Sequence, residues 1–128
     1  MAQSLEFPDV EDLLTAYLGT ALGVPAGTRS STAAKYLRIL RTGGPAPTRV
    51  TDSAQVTVEA YDTLESKALA LLGRARRALA DLPGTELQGW AVKSVTEMGG
   101  PANLPDPNST SKRYTLTAAV QIRGKQPT

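Results

Sequence analysis

The run from Tyr36 to Leu79 constrains the fold more than any other part of this 128-residue chain. In Tyr36-Leu37-Arg38-Ile39-Leu40-Arg41-Thr42-Gly43-Gly44 the basic residues Arg38 and Arg41 sit among apolar ones until a double glycine breaks the strand. In Val56-Thr57-Val58-Glu59-Ala60-Tyr61 the apolar residues Val56, Val58 and Ala60 recur at the period of two that places them on one face of a half-buried strand. Asp62-Thr63-Leu64-Glu65 follows at once, an acid with Glu three positions on, which has the form of a capping box. Strand, loop, strand and amphipathic helix are thus written in a single stretch.

The remainder extends this pattern. Pro8 to Leu22 reads as a first helix, with an apolar stripe at Val10, Leu13, Leu14, Tyr17, Leu18, Ala21 and Leu22. Asp9, Glu11 and Asp12 fall in its first turn, where acids suit the positive end of the helix dipole. Gly23 and Pro25 stop it, and residues 23–33 form a turn-rich connector. Strands are expected at Ala34–Arg41 and Ala54–Tyr61, with a protruding loop over 42–53, and a second helix over Thr63–Leu82. Gly73 inside that helix implies close packing against it. A third strand is expected around Gln88–Met98, then a Gly/Pro-rich loop over 99–111, a strand over Arg113–Arg123 and a polar tail at 124–128. The last strand alternates most cleanly, with Tyr114, Leu116, Ala118, Val120 and Ile122 on one side. The expected fold is α+β: a two-layer, four-stranded, mostly antiparallel sheet with two helices on one face, in the order α-β-β-α-β-β. Residues 1–128 form one domain on this reading.

Composition removes whole classes of chemistry. The chain has neither cysteine nor histidine, which excludes Ser-His-Asp and Cys-His nucleophile systems and every Cys/His zinc site. Asp62 is accounted for as a helix cap, Glu59 as the wet face of a strand, and Gly43-Gly44-Pro45 lacks the Lys and Ser/Thr of a phosphate loop. No catalytic residue, metal site or cofactor is therefore expected. No apolar stretch approaches the ~20 residues that cross a bilayer, and Met1-Ala2-Gln3-Ser4-Leu5-Glu6 lacks a secretory pattern, so no membrane is expected as a partner. Net charge is +2, but unevenly placed. Residues 1–28 hold Glu6, Asp9, Glu11 and Asp12 with no base, and residues 29–49 hold Arg29, Lys35, Arg38, Arg41 and Arg49 with no acid. Patches of opposite sign are suited to pairing head to tail between identical subunits, or to remaining solvated.

From Phe7 to Arg123 the chain resembles the tail-terminator (tail-completion) proteins of long-tailed bacteriophages. The resemblance is carried by Phe7-Pro8-Asp9-Val10-Glu11 before an apolar helix, by Tyr36-Leu37-Arg38-Ile39 running into Gly43-Gly44, and by Asp52 before the second strand. It continues in Val56–Tyr61 leading into an alanine-rich helix, and in Gly100-Pro101 and Pro105-Asp106-Pro107 ahead of Arg113-Tyr114-Thr115-Leu116. It implies a structural virion protein of the tail or neck, assembled in the host cytoplasm. Such a protein caps the tail tube as a ring, usually a homohexamer, and halts tube growth. Its partners are the major tail tube protein and the head–tail connector or stopper, with DNA passing through the lumen without sequence-specific binding. The contact candidates are Arg38, Arg41, Arg49 and Arg113 with Asp9, Glu11, Asp12 and Asp52.

Two other readings compete. One is a different neck protein, a stopper or an adaptor. The other is a small nucleic-acid-binding module using Arg38, Arg41, Arg49, Arg74, Arg76, Arg77, Lys112 and Arg113 as a basic surface. The small net charge and the lack of stacking aromatics weigh against the second.

Overall fold

A computed structural model describes residues 5–127. Met1–Ser4 at the opening and Thr128 of the tail lie outside the described residues. The elements are α1 (Val10–Leu22), β1 (Ala26–Gly27), β2 (Tyr36–Gly43), β3 (Thr51–Asp62), α2 (Glu65–Ala80), β4 (Glu86–Leu87), β5 (Trp90–Asn103) and β6 (Lys112–Arg123).

The expected four-stranded sheet is wrong. The sheet has six strands in the order β1-β2-β3-β6-β5-β4 and curls into a half-barrel, and the chain order is α-β-β-β-α-β-β-β. It is mixed, because β1 runs parallel to β2 while the other neighbours are antiparallel. The two added strands are two residues long, too short to carry a period. β1 lies within the stretch expected to be a connector, where Gly19 lets it approach α1. A Cβ there would sit 3.3 Å from that of Ala26. β4 is the first arm of a tight hairpin whose turn is Gln88-Gly89, with φ of 49° and 84°. Two successive positive φ values define the primed turn that matches strand twist.

The long strands also run further than their alternation indicates. β2 reaches Gly43 and β3 begins at Thr51, which shortens the connecting loop to residues 44–50. Gly44 is fixed there by a φ of 102° and by the Ser53 carbonyl oxygen, which a Cβ at this position would overlap. β5 continues through Gly99-Gly100-Pro101 to Asn103 by way of three register shifts, so the second loop is residues 104–111. Bulges absorb the residues that alternation alone reads as loop.

Helix ends follow capping chemistry, with one exception. Asp9 is the N-cap of α1 and its carboxylate accepts from the Asp12 N–H at 3.1 Å. Gly23 closes the helix in the left-handed region, φ 66°. The capping box expected at Asp62 does not form. Asp62 ends β3, its side chain accepts from the adjacent Thr63 N–H, and the N-cap of α2 is Leu64, with no side-chain bond.

Both helices bury their stripes against one face of the sheet. Leu13, Leu14 and Leu18 of α1 and Leu71, Leu72 and Leu79 of α2 share a cluster with Leu37, Ile39, Val56, Val58, Leu116, Val120 and Ile122. Tyr17 packs against this cluster half-buried, and its hydroxyl donates to the Ala78 carbonyl at 2.6 Å, tying the helices together. The Arg74 guanidinium donates to the Leu22 carbonyl at 2.9 Å, satisfying an orphan acceptor at the end of α1.

Gly73 does not mark a close approach. The nearest outside atom to a Cβ placed there is the tip of Arg77, 3.9 Å away. Replacing a helical glycine where space is free removes its entropic cost, so Gly73→Ala is expected to stabilise the fold by about 0.5–1 kcal/mol. Leu72→Ala, which empties a fully buried site, is expected to cost about 2–5 kcal/mol. Denaturant unfolding of the two variants checks both signs.

Candidate assembly surface

The charged residues singled out in the sequence separate onto two faces of the sheet. Arg38 and Arg41 are three positions apart on β2, so strand alternation sends them to opposite sides. Arg41 stands in the row of Leu37 and Ile39, on the helix side. Its guanidinium makes a bidentate pair with Asp52 at 2.7 and 2.8 Å. Its backbone N–H donates to the Glu11 carboxylate at 2.8 Å. Asp52 lies on the same side, opposite Ile122, and is 8% exposed. The Asp52 hydrogen bond, aided by Asp9 and Glu11, raises the Arg41 pKa further above its ordinary value. The acidic start of α1 and the basic end of β2 therefore meet within one chain.

Arg38 lies on the other side, directly across from Glu59. Glu59, expected on the wet face of its strand, is buried. One carboxylate oxygen accepts from Arg38 at 3.4 Å and the other from Arg113 at 3.1 Å. The Tyr61 hydroxyl lies 3.1 Å from both the Glu59 and the Asp106 carboxylates, which share its one hydrogen. The Tyr61 ring stacks on Tyr36 with centroids 4.3 Å apart and planes 7° from parallel. Arg113 also donates to the carbonyls of Leu104 and Pro105, at 2.6 and 3.4 Å, which fastens the start of the β5–β6 loop over this cluster. Burial pushes the Tyr61 phenol up to about 12, and the Glu59 charge beside it acts in the same direction. Asp106 is held below its ordinary value, chiefly by the Asn108 N–H and then by the Tyr61 hydroxyl.

Sequence reasoning therefore names Arg38 and Arg113 and misses the groups that organise them: Glu59, Tyr61, Tyr36 and Asp106. A usable signal is present in strand parity. Glu59 shares its side of β3 with Tyr61, and the basic residues on both neighbouring strands face that side. The broad basic surface of the nucleic-acid reading is largely consumed internally, since Arg38, Arg41, Arg76 and Arg113 are ion-paired and Arg74 serves α1. Arg49 and Asp12 remain exposed, with no ion pair among the described residues.

The sheet edges differ from each other. At the β2 edge, β1 covers Leu37 and Arg38 and Glu11 takes the Arg41 N–H. At the other edge β4 covers only Trp90 and Ala91, so β5 from Lys93 to Asn103 has no strand partner on its outer side among the described residues. Met98 on this edge is 60% exposed and Leu104 just beyond it 50%. An open edge with apolar side chains is a template for another chain, and the bulges and Pro101 here limit indiscriminate pairing.

A small α+β subunit whose charges stabilise its own frame and which leaves a long sheet edge open has the character of an assembly component. The family model described as phage tail termination protein matches residues 6–128, and the chain belongs to that family, whose members are structural proteins of the phage tail. No curated protein sequence matches the chain. Among solved structures, a chain of the virion of a native gene transfer agent particle superposes with a TM-score of 0.61 at 13% identity, covering 85% of this chain and 86% of that one. At that identity the likeness is one of fold.

Tyr61 yields a pH test. Its folded pKa lies above the unfolded value of about 10, so its contribution is complete below pH 10 and is lost as pH rises toward 12. Tyr61→Phe is expected to be less stable than the parent at pH 8, with the gap narrowing above pH 10. Paired unfolding curves of the two proteins from about pH 8 to 11.5 check this.

Proposed function

We propose that this chain ends the growth of the tail tube by forming a closed ring on its last layer, and that this ring receives the head–tail connector or stopper. The observation that carries the reading is the family match over residues 6–128. The ring is proposed to be a homohexamer, built in the host cytoplasm and retained in the virion at the tail–neck junction, with DNA passing through its lumen. The major tail tube protein meets one of its faces.

A ring closes through heterologous contacts, which require two different complementary patches on each subunit. The open β5 edge with the 104–111 loop supplies one. The other is proposed to be the charged region around α1 and β2, where Asp9, Asp12 and Arg49 contribute to assembly contacts. Arg41, Glu11 and Asp52 act there as a pre-paired unit that sets the shape of the patch. Arg38 and Arg113, on the opposite side of the sheet, contribute by bracing the first patch through Glu59 and the start of the 104–111 loop. An exposed ion pair contributes only about 0–1 kcal/mol, so neutralising Asp12 or Arg49 singly should weaken assembly little, while blocking the β5 edge should weaken it strongly.

A phage carrying an early stop codon in this reading frame is expected to produce overlong tubes, or tubes not joined to filled capsids. Electron micrographs of the particles read the result. Normal-length tails attached to capsids would contradict the proposal.

A further inference from the structure

We infer that the recess at the open end of the sheet, between the Thr48–Thr51 segment and the paired ends of β5 and β6, is a sequence-independent contact for the phosphate backbone of duplex DNA. The recess is about 410 Å³ and is lined by Thr48, Val50, Thr51, Ala91, Lys93 and Arg123. Arg123 stands across from Thr51 on the face turned away from the helices, and Lys93 sits in the adjoining bulge of β5. Arg49 lies between two lining residues. All three cations are exposed.

What distinguishes these cations is that they gather at one recess. The paired arginines of the structure, Arg38, Arg41, Arg76 and Arg113, each face a carboxylate, whereas Arg49, Lys93 and Arg123 make no ion pair among the described residues. Two exposed acids border the recess in the strand register: Glu6, which bridges Lys125 through its backbone, and Glu86, opposite Ala91 on β4, which also lines the groove along α1. Lys125 lies over Trp90, 4.3 Å from the ring centroid, and adds a further positive group at the same end. The exposed Thr48 hydroxyl in the lining supplies a neutral donor of the kind that contacts phosphate oxygens.

The occupant follows from the lining. A protein surface docking here would need a well-packed apolar anchor, commonly an aromatic one. The only large apolar side chain in the lining is Val50. Single strands are held by stacking on aromatic faces, and Trp90 is already covered by Lys125. Clustered cations and a hydroxyl without a stacking platform suit a duplex backbone, whose charge repeats at short intervals. This contact does not require that the chain cap a tube, and the two are read by separate assays.

The test is fluorescence anisotropy of the purified full-length protein with a labelled random-sequence duplex across a salt series. Binding is expected to weaken steeply with salt. R49Q/K93Q/R123Q is expected to bind about tenfold or more weakly at low salt, with the log–log salt slope shallower by about one for each phosphate no longer neutralised. K67Q/R77Q, two exposed cations on α2, should bind as the parent does. If the triple variant proves unfolded by circular dichroism, Lys93→Gln alone is expected to lower the slope by about one. No duplex binding at low salt, or equal losses in the α2 control, would overturn the inference. So would displacement of the duplex by polyglutamate of matched charge at equal or lower concentration, which would assign the recess to an acidic protein. Tail length in a phage carrying Arg123→Gln alone, a residue outside the proposed assembly contacts, reports on the capping role independently and is expected to be normal.

Discussion

Strand β3 is the member on which the other elements depend, because it is covered on both faces and, from Gln55 to Tyr61, paired along both edges. Alternation then imposes two separate demands on one twelve-residue segment. The side of Ala54, Val56, Val58 and Ala60 receives the two helices and needs only apolar volume. The side of Thr57, Glu59 and Tyr61 is closed by the curl of the sheet, by Tyr36 and by the start of the β5–β6 loop. Its polar groups must therefore be satisfied inside the protein. A carboxylate withdrawn from water is tolerated because Arg38 and Arg113 approach it from the two neighbouring strands and the Tyr61 hydroxyl lies beside it. That one anion fixes the register of three strands and fastens the loop, since Arg113 and Tyr61 also hold residues 104–106.

The same internal pairing determines what is left for assembly. Charges that look available along the chain are spent on the frame: Asp9 on capping α1, Glu11 and Asp52 on Arg41, Glu59 on two arginines. The Glu11 carboxylate on a backbone N–H of β2 also guards that edge against stray pairing. What stays open is the β5 edge, with its apolar side chains and its bulges. An edge of this kind favours a partner surface that matches its irregular register over indiscriminate pairing of two such edges. The proposed ring asks for this selectivity, because heterologous contacts that close on themselves end growth, whereas contacts that do not close extend a filament.

Much of the frame was legible in the sequence. The stripes at Leu13, Leu14, Leu71, Leu72 and Leu79, the alternation of Val56, Val58 and Ala60, and that of Leu116, Ala118 and Val120 located both helices and the two strands that carry most of the core. What escaped had physical reasons. Strands of two residues, Ala26–Gly27 and Glu86–Leu87, are too short to show a period. Bulges in β5 break alternation where pairing continues, so Gly99–Asn103 read as loop. The burial of Glu59 depends on the curl of the sheet, a tertiary property that local pattern does not contain. The separation of Arg38 from Arg41 was, by contrast, present in their spacing, because three positions on a strand always reach opposite faces.

The place proposed for this chain is the point where the tail tube stops. Cryo-electron microscopy of the intact virion, at a resolution that traces backbone, locates the chain directly. A closed ring of this chain on the capsid-proximal end of the tail tube, with the β5 edge buried between neighbouring subunits, is the expected result. Its absence from that junction, or its presence as repeating layers along the tube, would contradict the account.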